Sequence, residues 1–127
     1  MSKFSYIEQE RPVLSAALRG TEGFEEVSGE VSVYSIDHGM CLCAAFSGLP
    51  VSQKLPFHIH ESMLCENAGG HLLELPDIMS DRLGEAYALY YCDRLPLSEI
   101  AGKAIMLHIK TDGEEPPIAC GILERIL

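Results

Sequence analysis

The 127-residue sequence has no tryptophan and is poor in basic residues, with nine Lys and Arg against nineteen Asp and Glu. Its formal net charge of −10 argues against nucleic acids and anionic membranes as partners, because both bind basic surfaces. No stretch approaches the roughly 20 apolar residues that span a bilayer. The N-terminal segment is polar and charged, without a basic region followed by an apolar one. We therefore expect a cytoplasmic protein.

The sequence also lacks a long amphipathic helix, an internal repeat and a low-complexity tract. With 47% hydrophobic and 22% charged residues, it predicts one globular domain over residues 1–127, with a core from about 13 to 123. Short apolar runs separated by Gly, Pro and Asp predict antiparallel strands, which are typical of a Greek-key sandwich or barrel. One helical turn is predicted at 96–102. The predicted strands are 13–19, 25–36, 40–49, 57–60, 84–93, 104–110 and 118–123.

Five cysteines are an odd number, so at least one thiol is unpaired or pairs between molecules. Cys41 and Cys43 are two residues apart in a predicted strand and therefore share one face. Packing as small core residues is a better explanation for this pair than a second metal site. Cys92, which follows two tyrosines, is likewise typical of strand packing.

The histidines form the clearest chemical pattern. His58 and His60 stand in the motif FHIHE at 57–61, and strand alternation places both rings on one face. Neutral imidazoles that lie together suit a metal ion, although an isolated H-x-H pair is more often a pair of surface histidines. His108 lies in the apolar run AIMLHI, where a ligand role is favoured because a polar ring without a partner is costly there. His38 falls in a predicted hairpin turn at 37–39 and is left out of the site.

The motifs around these histidines resemble the signature of the copper/zinc superoxide dismutases. The segments LPDI at 75–78 and DRLPLSEI at 93–100 are similar to further landmarks of that family. The resemblance extends from about Gly29 to Leu123 and implies an all-β, immunoglobulin-like Greek-key barrel. The matching motifs, in the order of the family, are FHIHE at 57–61, Cys65, AGGH at 68–71, GKAIMLH at 102–108 and IACGI at 118–122.

The resemblance also implies an activity and a site. The family dismutates superoxide to dioxygen and hydrogen peroxide by alternating one-electron transfer at copper, so the expected partners are superoxide or a copper ion. The match implies a disulfide between Cys65 and Cys120, which would stabilise the fold by about 4 kcal/mol in the chain-entropy model. A second copy of the chain, forming a homodimer, is a further expected partner. His71 is expected to carry a proton in catalysis. The implied copper ligands are His58, His60, His71 and His108.

His71 can be aligned in two ways. The AGGH motif matches the histidine that bridges copper and zinc in the family, whereas HLLELP at 71–76 is similar to a later motif whose histidine binds zinc alone. The spacing from Cys65 favours the first alignment. Zinc needs about four ligands, and no further histidine lies nearby, while Glu74 offers one carboxylate. The sequence therefore predicts one copper per chain and no zinc site.

Two departures from the family place the activity in question. Pro117 occupies the position of the arginine that holds superoxide beside copper, so only Lys110 or Lys54 is left to supply a charge. The long charged loop of the family is reduced to residues 110–117. Asp112 matches an aspartate that orients metal ligands, although a turn aspartate before a glycine is at least as good an explanation.

There are two alternatives to a dismutase. One is a copper buffer or carrier without enzymatic activity, and the other is a metal-free structural module.

Overall fold

The computed structural model describes residues 11–36, 39–66, 69–93 and 97–126. This part of the chain forms nine strands and one short helix. None of the described helices is long and apolar enough to cross a membrane. The elements are β1 (Leu14–Gly20), β2 (Ser28–Ile36), β3 (Gly39–Ser47), β4 (Lys54–His60), β5 (His71–Met79), β6 (Ala86–Cys92), α1 (Leu97–Ile100), β7 (Ala104–His108), β8 (Pro117–Ile122) and β9 (Glu124–Arg125).

The strands form one antiparallel sheet in the order β5-β4-β7-β8-β1-β2-β3-β6, with the short β9 paired to β1. The end strands β5 and β6 contact each other, so the sheet closes on itself as a barrel. Strand β4 pairs with β7, and β8 pairs with β1. These non-sequential neighbours are the crossovers of a Greek key. The predicted all-β Greek-key barrel is confirmed.

The core is built from the inward faces of the strands. In β1, the buried Leu14, Ala16 and Leu18 alternate with less buried residues, as a strand with one face on a core requires. Across the barrel, the rings of Phe46 and Phe57 meet edge to face with their centroids 5.6 Å apart. The inward-facing residues of the strands thus form the apolar core, and the outward-facing positions are available for polar and functional side chains.

Strand β5 was not predicted from the sequence. Its burial pattern does not alternate regularly, and its pairing with β4 is interrupted by two register shifts. It also contains Pro76, which a strand tolerates here because β5 is paired on one side only. His71, which the sequence placed in a loop, is therefore the first residue of a strand. The short β9 was not predicted either, and the remaining strands differ from the prediction mainly at their ends.

The loop that follows β4 is tied to β8 by a disulfide between Cys65 and Cys120, the pair implied by the family resemblance. Their Cα atoms are 6.0 Å apart. Cys41, Cys43 and Cys92 are free thiols. The predicted turn that contains His38 lies outside the described residues. Helix α1 confirms the predicted helical turn, and Gly102 follows it with a φ of 82°, a conformation that glycine adopts without strain.

Candidate metal centre

Strand alternation places two histidines of β4 on the outer face of the barrel. Phe57 and Ile59 point into the core and are almost completely buried. His58 and His60 therefore lie on the opposite face. In the neighbouring strand β7, Met106 pairs directly with His58, and His108 stands two residues further on, on the same face. Adjacent antiparallel strands thus bring together histidines that are about fifty residues apart in sequence.

These three histidines form a tight, buried cluster. The ring centroids of His58 and His108 are 4.9 Å apart, those of His60 and His108 are 5.4 Å apart, and those of His58 and His60 are 6.0 Å apart. One nitrogen from each ring lies within 4.8 Å of the other two. The three residues are only 5–7% exposed. This is a spacing at which three imidazoles can bind one metal ion.

Hydrogen bonding gives independent support for metal binding. Three buried nitrogens, Nδ1 of His58, Nε2 of His60 and Nδ1 of His108, have no hydrogen-bond partner in the described chain. A buried polar atom without a partner costs about 1–3 kcal/mol, so native proteins rarely contain such atoms in groups. A metal ion would satisfy them, because it accepts the lone pair of a neutral imidazole. The donor set therefore fits a metal.

Burial also keeps the rings neutral. It lowers the pKa of His108 to about 4, with further lowering by the nearby His58 and His60. Burial likewise lowers the pKa of His58, helped by His71, and burial lowers the pKa of His60 although a hydrogen bond to Gly69 opposes this. Histidine binds metal in its neutral form. At neutral pH the cluster is therefore ready to bind a cation.

The ring of His60 is oriented by the loop that contains the disulfide. Its Nδ1 lies 3.2 Å from the carbonyl oxygen of Gly69. When Nδ1 donates its proton to this oxygen, the other nitrogen, Nε2, has a free lone pair. Gly69 has a φ of 75°, which is unfavourable for most other residues. The glycine of the AGGH motif thus positions a carbonyl that fixes the tautomer of His60.

His71 lies beside the cluster rather than within it. It pairs with His60 across β4 and β5, and its ring stacks on that of His58 with centroids 3.8 Å apart. Its side chain is 40% exposed, and its Nδ1 lies 3.5 Å from Oε1 of Glu74. His58, His71 and Glu74 form a second group whose ligand atoms lie within 4.8 Å. The structure therefore gathers all four predicted histidines, three of them buried and the fourth at the solvent edge.

The remaining residues predicted around the site differ in how close they lie to the histidines. Glu74 is close to the histidines and exposed. Asp112 is exposed in the turn closed by Thr111 and Glu114, and no hydrogen bond links it to a histidine within the described chain. Lys54 begins β4, about 13 Å along the strand from His58. Of the predicted cations, only the exposed Lys110 is near in sequence to His108.

Two features of the site were not predicted from the sequence. The first is the Gly69 carbonyl described above. The second is Glu115, whose negative charge, like that of Glu74, favours the protonated form of His58. Pro117 is exposed and pairs with His108, so the position of the missing arginine is next to the cluster. The surroundings of the histidines are therefore acidic, without a described basic side chain in contact.

Comparison with known proteins supports the fold. No protein-family model and no curated protein matches the sequence. The structure is similar to the crystal structure of a superoxide dismutase-like protein from Bacillus subtilis, a double mutant in which a tyrosine and a proline are replaced by histidine. The TM-score is 0.71 at 22% identity, over 88% of this chain and 99% of that chain. The chain thus has a superoxide dismutase-like fold, with a histidine cluster that can bind a metal ion.

The lowered histidine pKa values predict that acid destabilises the metal-free protein. The unfolded chain, with histidine pKa values near 6.5, binds more protons than the folded chain, in which the pKa of His108 is about 4. The free energy of unfolding is therefore not reduced by these rings above about pH 6.5, where they are neutral in both states. It decreases as the pH falls toward 4, because only the unfolded chain takes up the protons. Urea unfolding of metal-free protein across this range should show the loss. His108→Leu should show a shallower loss, since both proteins share the same carboxylates; equal slopes would contradict the assignment.

Proposed function

We propose that the histidine cluster binds one copper ion and that the protein dismutates superoxide to dioxygen and hydrogen peroxide there. One observation carries this proposal: three neutral, buried imidazoles with unpartnered nitrogens converge on the outer face of a superoxide dismutase-like barrel. Imidazole donors suit several metals, among them copper, zinc and iron. The resemblance of the motifs to the copper ligands of the dismutase family selects copper among these.

Zinc is the less suitable occupant of a second site. The only other group of donors in the described chain consists of His58, His71 and Glu74. It shares His58 with the buried cluster, so the two groups cannot each bind a metal ion with a complete set of ligands at the same time. A structural zinc site takes about four ligands of its own. We therefore propose one copper and no zinc per chain.

The roles of the residues follow from their positions. His58, His60 and His108 would hold the copper, and the packed strands β4 and β7 keep their rings in place. Copper bound in this way supplies alternating one-electron oxidation and reduction. His71 is the catalytic candidate, because its half-exposed ring reaches both solvent and His58. Its Nδ1, beside Glu74, can hold a proton and deliver it to the peroxide product.

The surroundings predict a slow dismutase. Superoxide is an anion, and Glu74 and Glu115 place negative charge near His58 in a chain of net charge −10. Pro117→Arg introduces a positive charge beside His108. We expect this variant to react with superoxide about tenfold faster at low salt, with the gain disappearing as salt screens the charge. Pulse radiolysis of the copper-loaded proteins measures this rate.

Pro117→Gln is the matched control for this experiment, because glutamine is similarly long but uncharged. It should leave the rate close to that of the unmodified protein. An equal gain from glutamine and arginine would show that removal of proline, rather than charge, is responsible. A near-diffusion-limited rate in the unmodified protein would contradict the proposed effect of the acidic surroundings.

The same acidity favours a second candidate, a copper buffer or carrier. The carboxylates of Glu74 and Glu115 repel superoxide but attract a copper cation. The two candidates differ in one measurement. Copper-loaded protein should accelerate the decay of superoxide above the metal-free protein and above copper-treated His108→Ala. If stoichiometric copper produces no acceleration, the dismutase proposal is wrong and the carrier remains.

A further inference from the structure

Met106 is a buried methionine on the outer face of the barrel. Its neighbours in β7, Ile105 and Leu107, are 0% exposed and belong to the apolar core. Strand alternation therefore turns Met106 outward, onto the face that carries His108. There it pairs directly with His58 of β4. Met106 is nevertheless only 5% exposed, so other side chains must cover it on the outside of the barrel.

The register of the two strands shows that histidine rings lie over Met106. In β4, His60 is two residues beyond His58. In the antiparallel strand β7, His108 is two residues beyond Met106, which pairs with His58. His60 and His108 thus begin at opposite ends of this pair, about 13 Å apart along the strands. Their ring centroids are only 5.4 Å apart, so both rings lean inward over the pair and help to cover Met106.

We propose that the thioether sulfur of Met106 is a fourth donor of the histidine cluster and that it stabilises Cu(I) there. This role rests on the binding of copper to the three histidines proposed above. A thioether is a soft donor, and soft sulfur ligands select Cu(I). In copper sites a methionine is at most a weak ligand of Cu(II). Met106 would thus determine how strongly the site holds reduced copper.

Burial and charge favour the same role. The cluster offers neutral imidazoles, and the thioether of Met106 is also uncharged. Buried neutral donors offset the charge of a cation poorly, so they favour the singly charged Cu(I) over Cu(II). On the other side of Met106 lies Cys120, whose sulfur is bonded to Cys65 and therefore has no thiolate to offer. Met106 is therefore the soft donor that this part of the sheet presents to the histidines.

Titration of the full chain with Cu(I) and with Cu(II), each in competition with a chelator, tests this role. Met106→Leu preserves the volume and the apolar character of the side chain. We expect it to lower the affinity for Cu(I) at least tenfold and to leave the affinity for Cu(II) unchanged. The reduction potential of the bound copper should then fall by at least about 59 mV, the equivalent of a tenfold change for one electron.

Two controls accompany this titration. Cys41 and Cys43 are replaced by alanine in every protein compared, because free thiolates also bind Cu(I). Cys92, the remaining free thiol, lies inside the core. Met79→Leu is the matched control, because Met79 is 61% exposed and pairs with Lys54 at the far end of β4. It should alter neither affinity.

The outcomes separate the role of Met106 from the copper site itself. Equal Cu(I) affinity in Met106→Leu and the unmodified side chain would overturn the proposal. An equal loss of Cu(I) and Cu(II) affinity would also overturn it, since this is the result expected if Met106 only supports the rings. If the chain with Met106 intact binds no Cu(II), the histidine site itself is wrong, and that result is visible before any variant is compared.

X-ray absorption at the copper edge remains informative even if Met106→Leu folds poorly. In protein produced with selenomethionine, selenium replaces each methionine sulfur and scatters photoelectrons more strongly. The Cu(I)-loaded protein should show selenium among the neighbours of copper, and Met79→Leu should retain this signal. Surroundings of Cu(I) without selenium would overturn the proposal.

Discussion

Replacing His108 by alanine is expected to lower the affinity for Cu(II) by at least about 1000-fold, because even changes to residues that merely support a ligand cost 10–100-fold. His108 is the only imidazole ligand from β7, and its ring is within 5.4 Å of both His58 and His60. His58→Ala and His60→Ala should have effects of the same size. Competition titration with a copper chelator measures these affinities, and circular dichroism verifies that each variant retains its strands.

Alanine variants of His71 and His38 should affect copper affinity less than His108→Ala does. His71→Ala should weaken copper binding less than His108→Ala, since its ring is 40% exposed and outside the buried cluster. His38→Ala, in the hairpin turn predicted from the sequence, should leave binding unchanged. If His38→Ala removed copper binding while His108→Ala did not, the assignment of the site would be wrong.

Loss of the disulfide should produce the largest change in stability. The bridge links residues 55 positions apart, and the chain-entropy model gives about 4 kcal/mol for a loop of this length. Cys65→Ser should lower the free energy of unfolding by this amount, and serine is tolerated there because Cys65 is exposed. Copper affinity should fall modestly as well, since the same loop supplies the Gly69 carbonyl that orients His60. Urea denaturation of the metal-free proteins measures the change.

A reductant provides the control for this variant. The unmodified chain under strong reducing conditions should lose the same stability as Cys65→Ser, and the reductant should not destabilise Cys65→Ser further. Cys43→Ser, which alters a free thiol, should change stability by well under 1 kcal/mol. Equal stability of Cys65→Ser and the unmodified chain would contradict a stabilising bridge.

The fold was largely predictable because most strands bury one face. The alternation in β1 and the apolar runs of β3 and β7 identify strands without reference to partners. Strand β5 was not predictable in this way. Its edge position allows Pro76 and an irregular burial pattern, and its pairing depends on register shifts in β4 that no local sequence signal encodes.

The histidines that the structure gathers into the cluster were identifiable from the sequence. The H-x-H spacing placed His58 and His60 on one face, and the apolar surroundings of His108 indicated a partner. The position of His71 depends on the bulged register of β4 against β5, which the sequence does not reveal. The approach of Glu115 to His58 depends on the path of the loop before β8. Such contacts arise from tertiary structure rather than from local pattern.

The exposure of the outer face of β6 was likewise not predictable from the sequence. Tyr90 and Tyr91 suggested a packed strand, but alternation turns one inward and the other outward. Tyr91 is 56% exposed, and Leu89 is 73% exposed. Sequence periodicity identifies the two faces of a strand, and it does not specify whether another part of the same chain covers the second face. Only the assembled barrel shows that this face is open.

The most direct test of the account is the metal content of the purified protein after incubation with copper and zinc together and removal of loosely bound ions. We expect about one copper and no zinc per chain, because the only buried donor set in the described chain consists of His58, His60 and His108. The same experiment on His108→Ala should yield neither metal. Two tightly bound metals per chain, one of them zinc, or no bound metal in the unmodified protein, would contradict the account.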